Sequence, residues 1–235
     1  MTTPADSRTP AVTSQTPEAS KRQKNPAAYA AFTANIERLC RTDPGAHAAL
    51  RAGLRRDLNH PRTRPMHRLL ASRVPEECDD ATAQAYYTVA SLIAAQPRHA
   101  FSPSQEEDED SSDEPEVAQT QNLQESGEAD KKKDAPSVPA PYGSSFGSTL
   151  GQAVIAQGAS LRMSAAENRI NLLTRQSTRG IHLHLPAAVN QVRAAGAPID
   201  WGQLLADLVD WPYRSGRISR RWLQDFYRIT AAYQD

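Results

Sequence analysis

Residues 105–116, QEEDEDSSDEPE, place eight carboxylates in twelve positions. The surrounding segment, 102–144, continues with SGEADKKKDAPSVPAPYG and holds 12 acidic residues against 3 basic ones, with no apolar periodicity. Such a stretch cannot bury enough apolar surface to offset the entropy of ordering it. It therefore limits the fold more than any other feature. The chain of 235 residues divides into a disordered tail (1–25), a unit at 26–101, a flexible acidic linker (102–144) and a unit at 145–235.

Periodicity in both units is helical. Asn25-Pro26 and Asp43-Pro44 each set a capping residue before a proline, which is a helix start signal. The first predicted helix aligns Tyr29, Phe32, Ile36 and Leu39, and the second Leu50, Leu54 and Leu58. HPRTRP then interrupts, and short helices are predicted over 65–71 and 81–95. Past the linker, SSFGSTLGQAVIAQG opens the second unit and a helix is predicted from about 160 to 176. LPAAVNQVRAAG, DWGQLLADLVDW and RISRRWLQDFYRITAAY follow, the last with Trp222, Phe226, Ile229 and Tyr233 on one stripe. No strand-like alternation of useful length occurs. The predicted fold is all-α, two small helical bundles joined by the linker.

The formal charge of zero hides a partition. Residues 1–101 carry 14 basic and 9 acidic side chains, 102–144 carry 3 and 12, and 145–235 carry 10 and 6, for nets of +5, −9 and +4. Between positions 38 and 73 nine arginines face only Asp43 and Asp57. A field of that sign draws polyanions, and nucleic acid becomes the leading partner class.

Other chemistries find little support. Read as a calcium loop from Asp108, the acidic run has Asp113 where glycine is needed and Gln119 where the bidentate glutamate belongs. His182 and His184 form an HxH read as a loop before a helix at Pro186, without the companion ligands of a zinc site. Phosphate-loop, dinucleotide and serine-hydrolase motifs are missing. Cys40 and Cys78 form no CxxC and read as small hydrophobes in a reducing compartment. With neither a signal-peptide pattern nor a run of roughly 20 apolar residues, a soluble cytoplasmic protein is expected. It needs no metal or cofactor and is not an enzyme.

The arginines carry more information. On a helical projection of 160–176, Arg162 and Arg169 fall inside the apolar arc. They must pair with carboxylates, lie at an interface, or reach a phosphate backbone. Arg51 and Arg55 are four apart beside the Leu50/Leu54 stripe, with Arg56 adjacent. Arg214, Arg217, Arg220 and Arg221 gather at the start of the last predicted helix, where the macrodipole disfavours cations and a phosphate would compensate.

These residues also carry a family pattern. ENRINLLTR, then IDW with LLADLVDW, then an arginine-led helix ending LQDFY, together with ALRAGLRRDLNHP and AYYTVASLIAAQP upstream, resemble the CasB family. That family is the small subunit of the type I-E CRISPR Cascade surveillance complex. The resemblance implies a non-catalytic, all-helical subunit present in two copies, contacting the large subunit and the backbone subunits. It would steady CRISPR RNA, target DNA and the displaced strand of the R-loop through phosphates. Arg51, Arg169 and Arg175 match basic positions of the family. Arg55, Arg56, Arg162, Arg217, Arg220 and Arg221 are added by the facing argument. Ala52 departs from a second arginine expected beside Arg51, and the long acidic linker departs from the short connection expected.

Two other readings stay open. One is a free-standing helix-turn-helix regulator with RISRRWLQDF as recognition helix. The other is a protein-interaction scaffold controlled by phosphorylation of Ser111 and Ser112.

Overall fold

A computed structural model of the chain describes residues 26–97, 143–156 and 161–232. The predicted tail, nearly all of the acidic linker and Tyr233 lie outside the described residues. The protein is all-α. Eight helices occur among the described residues: α1 (Pro26–Thr42), α2 (Pro44–Ala52), α3 (Arg64–Leu70), α4 (Asp80–Ala94), α5 (Phe146–Ile155), α6 (Met163–Thr174), α7 (Thr178–Ala194) and α8 (Trp201–Ala231). A single 3-10 turn at Pro61–Thr63 leads into α3.

The Asp43-Pro44 signal acts as expected, while Asn25 lies outside the described residues. Pro26 opens α1, and ahead of α2 the Asp43 carboxylate accepts the N–H groups of Gly45 and Ala46 at 2.8 and 2.9 Å. On α1, Phe32 and Ile36 are buried and Cys40 extends their face, while Tyr29 and Leu39 flank it half-buried. Burial pushes the Cys40 thiol up to about 11, with Glu37 adding to the effect, so it acts as a small hydrophobe. α4 starts on the Asp79 carboxylate, which accepts the Thr82 N–H at 3.0 Å, and buries residues on nearly every side.

Two predicted helices need correction. α2 ends at Ala52 and does not continue through Leu58. Gly53 follows it so close to α3 that an added Cβ would lie 2.1 Å from Met66 Sδ, and residues 53–55 form a turn. Leu54 and Leu58 still pack on the core, but from turns. The stretch around IHLHLP is helix, not loop. α7 begins on the Ser177 hydroxyl, which accepts the Gly180 N–H at 3.2 Å, and runs through Pro186. Its buried face of Ile181, Leu185, Val189 and Val192 outweighs the one hydrogen bond that proline removes. α7 ends where Gly196, at φ 74, lets Ala197 N–H reach the Val192 carbonyl and Gly196 N–H the Arg193 carbonyl.

The last two predicted helices join in α8, broken only at Arg214 (φ −139, ψ 25). Pro212, two residues before the break, has no N–H to bond one turn back, and Ser215-Gly216 follows. α8 packs most extensively on α5 and also touches α1, α4 and α6. The tight α5 contact depends on Gly147, where an added Cβ would lie 1.9 Å from the Trp222 carbonyl oxygen. Along α8 the two predicted units meet, and one apolar cluster runs from Phe32 and Ile36 through Val89 and Ile93 to Leu204, Trp211 and Trp222. The rings of Trp211 and Phe146 lie 5.3 and 5.4 Å from that of Trp222.

Candidate nucleic-acid interface

The predicted arginines divide into those the fold engages and those it turns outward. Arg221 is engaged: its guanidinium bonds to the Asp207 carboxylate. Asp207 also accepts from Trp222 Nε1 at 2.7 Å and from Gln203 Nε2 at 2.7 Å. Burial raises the Asp207 carboxyl above its ordinary range, while the Arg221, Trp222 and Gln203 donors oppose that rise. This node joins the two halves of α8 across the kink. Arg169 is engaged too, since its Nε donates to Gln191 Oε1 at 2.8 Å and ties α6 to α7.

Arg162 sits at the N-terminal boundary of α6, not on its face, because that helix starts at Met163 and not near 160. The core side of α6 is Ala166, Ile170 and Leu173, whereas Leu172 is 37% exposed. The helical projection is therefore rotated from expectation, and Arg162 does not lie in an apolar arc. Arg162 and Arg175 flank the two ends of α6, a helix of 12 residues, or about 18 Å at 1.5 Å per residue. Both are exposed.

Arg51 is exposed in the last turn of α2 and lines a recess of about 460 Å³ with His47, Gln96 and Pro97. Arg55 and Arg56 do not share its helix face. They lie beyond the end of α2, Arg55 at φ 61, and open on a different cleft. Arg217 and Arg220 are exposed on α8, opposite a buried face of Ile218, Trp222 and Phe226. That burial removes RISRRWLQDF from the role of a fully presented recognition helix.

Arg179 is a basic residue that the sequence reading missed. It lies in the first turn of α7 and lines the same cleft as Arg55 and Arg56. The signal was Ser177, a capping residue hidden because Pro186 was read as the helix start. On α7, His182 and His184 are two residues apart and so point to different sides, which dismantles the HxH. His182 is 7% exposed and its burial lowers its pKa to about 4. Among the described residues no group of three His, Cys, Asp or Glu is placed to hold a metal ion, and no helix is long and apolar enough to cross a membrane.

Comparison with known proteins places the fold in a family. Residues 46–227 match the family model of CRISPR-associated protein Cse2. The chain is similar to a chain of a "CRISPR RNA-guided surveillance complex, pre-nicking", with 29% identity and TM-score 0.66, over 89% of this chain and 97% of that one. A second "CRISPR RNA-guided surveillance complex" contains a chain with 29% identity and TM-score 0.65, over 89% and 96%. The crystal structure of M. ruber CasB shares the fold at 19% identity and TM-score 0.56, over 86% and 96%. No curated protein matches. With most of its length inside the family match and its helices superimposing on those chains, the protein belongs to the CRISPR-associated Cse2 family.

Proposed function

We propose that the protein is a non-catalytic small subunit of a type I-E CRISPR RNA-guided surveillance complex. In it, outward arginines hold guide RNA, target DNA and the displaced strand by their phosphates. The observation that carries this reading is that the two chains 29% identical to it belong to such complexes and are covered over 97% and 96% of their length. The partners are the large and backbone subunits, the nucleic acids and a second copy of the chain, in the cytoplasm. Exposed Arg51, Arg55, Arg56, Arg162, Arg175, Arg217 and Arg220 support the reading. Arg169 and Arg221 stabilise the elements that carry them.

The mechanism is electrostatic. Forming an R-loop exchanges one duplex for another of similar stability, so a few backbone contacts decide the balance. Each phosphate neutralised releases counterions, giving steep salt dependence and little sequence preference.

Affinity purification with and without RNase, followed by mass measurement of the partners, tests the assembly. We expect a large RNA-containing complex. Charge reversal at Arg51 and Arg175 should weaken R-loop stability with helicity unchanged. Association indifferent to RNase, or binding indifferent to salt between about 50 and 200 mM, would sink the proposal.

A further inference from the structure

The turn at 55–59, the start of α4 and the start of α7 enclose a cleft of about 520 Å³, lined by residues that include Arg55, Arg56, Arg179 and His182. The turn is strapped in place. Gln84 Nε2 donates to the Arg56 carbonyl at 3.0 Å, and Gln84 Oε1 accepts the Leu58 N–H at 3.1 Å. Arg55 there holds a left-handed backbone, φ 61, which is strained for a non-glycine residue.

The charges in the cleft do not cancel. Asp57 and Asp80 share its lining with the three arginines, and among the described residues none of the three guanidinium groups forms an ion pair. α7 brings no acidic residue in its first turn, and its Ser177 hydroxyl is committed to Gly180 N–H. The N–H groups of Thr178 and Arg179 have no intrahelical acceptor. Arg179 is itself a cation at the positive end of a helix dipole, an unfavourable placement that a bound anion reverses. A second observation is independent of charge. His182 lines the same cleft, is 7% exposed, and finds no hydrogen-bond partner at either ring nitrogen among the described residues. Leaving a buried polar group unsatisfied is unfavourable, and a ligand or ordered water is a common way to complete it.

We infer that this cleft seats one phosphate of the bound nucleic-acid strand, gripped by Arg55 and Arg56 from the turn and by Arg179 with the first-turn N–H groups of α7. Its volume falls within the roughly 300–1,000 Å³ typical of ligand pockets, enough for a phosphate with its sugar. Leu183, exposed on the rim, offers the sugar an apolar edge. The inference rests on the nucleic-acid reading above and deepens it. Arg51, Arg162, Arg175, Arg217 and Arg220 are separate surface contacts, whereas the cleft fixes the register of one phosphate.

The test is fluorescence anisotropy of the full chain with a labelled single-stranded DNA of mixed sequence, titrated across about 50 to 200 mM salt, with circular dichroism to check folding. R179Q and R55Q/R56Q should each weaken binding on the order of fivefold to tenfold at low salt and lower the salt slope by about one. Combining them should cost less than the product of the two effects, because they share one phosphate. R179K, which keeps the charge but loses the planar fork, should retain the slope and bind with intermediate affinity. The added loss from R217Q/R220Q should multiply with that from R179Q. If R217Q/R220Q weakens binding while R179Q and R55Q/R56Q bind like the parent, the cleft inference fails and the nucleic-acid reading stands. If the parent chain shows no salt-dependent binding at all, both fail. If inorganic phosphate binds the chain and R179Q abolishes that binding without changing affinity for the strand, the cleft belongs to a free anion and the assignment to a strand is overturned.

Discussion

Around Asp207, three donors converge on one buried carboxylate, and Arg221 is drawn inward to meet it. Around the cleft at 55–59 the balance is reversed: among the described residues three guanidinium groups find no ion-pair partner and the buried His182 ring nitrogens no hydrogen bond. The same residue type is structural in one place and available for binding in the other. What separates them is whether the fold delivers an acceptor. Asp207 lies 14 positions before Arg221, on the other side of the Arg214 kink, so the break in α8 sets the geometry of the node.

The largest effect should come from emptying the closed node. D207A leaves Arg221, Trp222 Nε1 and Gln203 without their shared acceptor, and breaking a buried pair in this way costs about 3–5 kcal/mol. Urea unfolding followed by circular dichroism measures it. R217Q, outward on the same helix, should stay within about 0.5 kcal/mol. A loss below about 1 kcal/mol for D207A would erase the distinction between the two regions.

The open region has its own stability signature, through pH. Burial holds the His182 pKa at about 4, below its usual 6.5. Above pH 6.5 both folded and unfolded chains keep the ring neutral, and nothing is lost. As the pH falls below 6.5, the unfolded chain takes up a proton that the folded one refuses, and stability drops until about pH 4. At pH 5 this amounts to about 2 kcal/mol relative to pH 8. The difference in unfolding free energy between parent and H182Q, measured at both values, should change by that amount. A constant difference would mean that the imidazole is not held neutral.

The contrast between the regions was only half legible in the sequence. α1 could be read because Pro26 and apolar steps of three and four agree there, and the start of α2 because Asp43 and Pro44 do. α2 was overextended because Leu54 and Leu58 keep the apolar period while the backbone leaves the helix at Gly53. Pro186 concealed the first two turns of α7, and with them Arg179, since tertiary burial of Ile181 and Leu185 outweighs the local penalty of proline. The arginines were visible as a class. Their allocation was not, because the partners Asp207 and Gln191 lie 14 and 22 residues away from Arg221 and Arg169. Residues 102–142 are described by composition alone.

The smallest effect probes the intermediate case. Arg169 is half-buried and bonded to an amide, not a carboxylate, so it lies between the closed node and the open cleft. R169A removes one charge-assisted hydrogen bond and should cost about 1–2 kcal/mol, with Q191A costing somewhat less and the pair coupled in a double-mutant cycle. R217Q/R220Q should leave stability unchanged and lower the slope of log K against log salt by about two. If R169A lowers that slope by a full unit while unfolding free energy stays constant, Arg169 belongs with the outward set. Its bond to Gln191 would then be a resting position that a phosphate displaces. If stability falls and the slope holds, the contact between α6 and α7 is the residue's whole role.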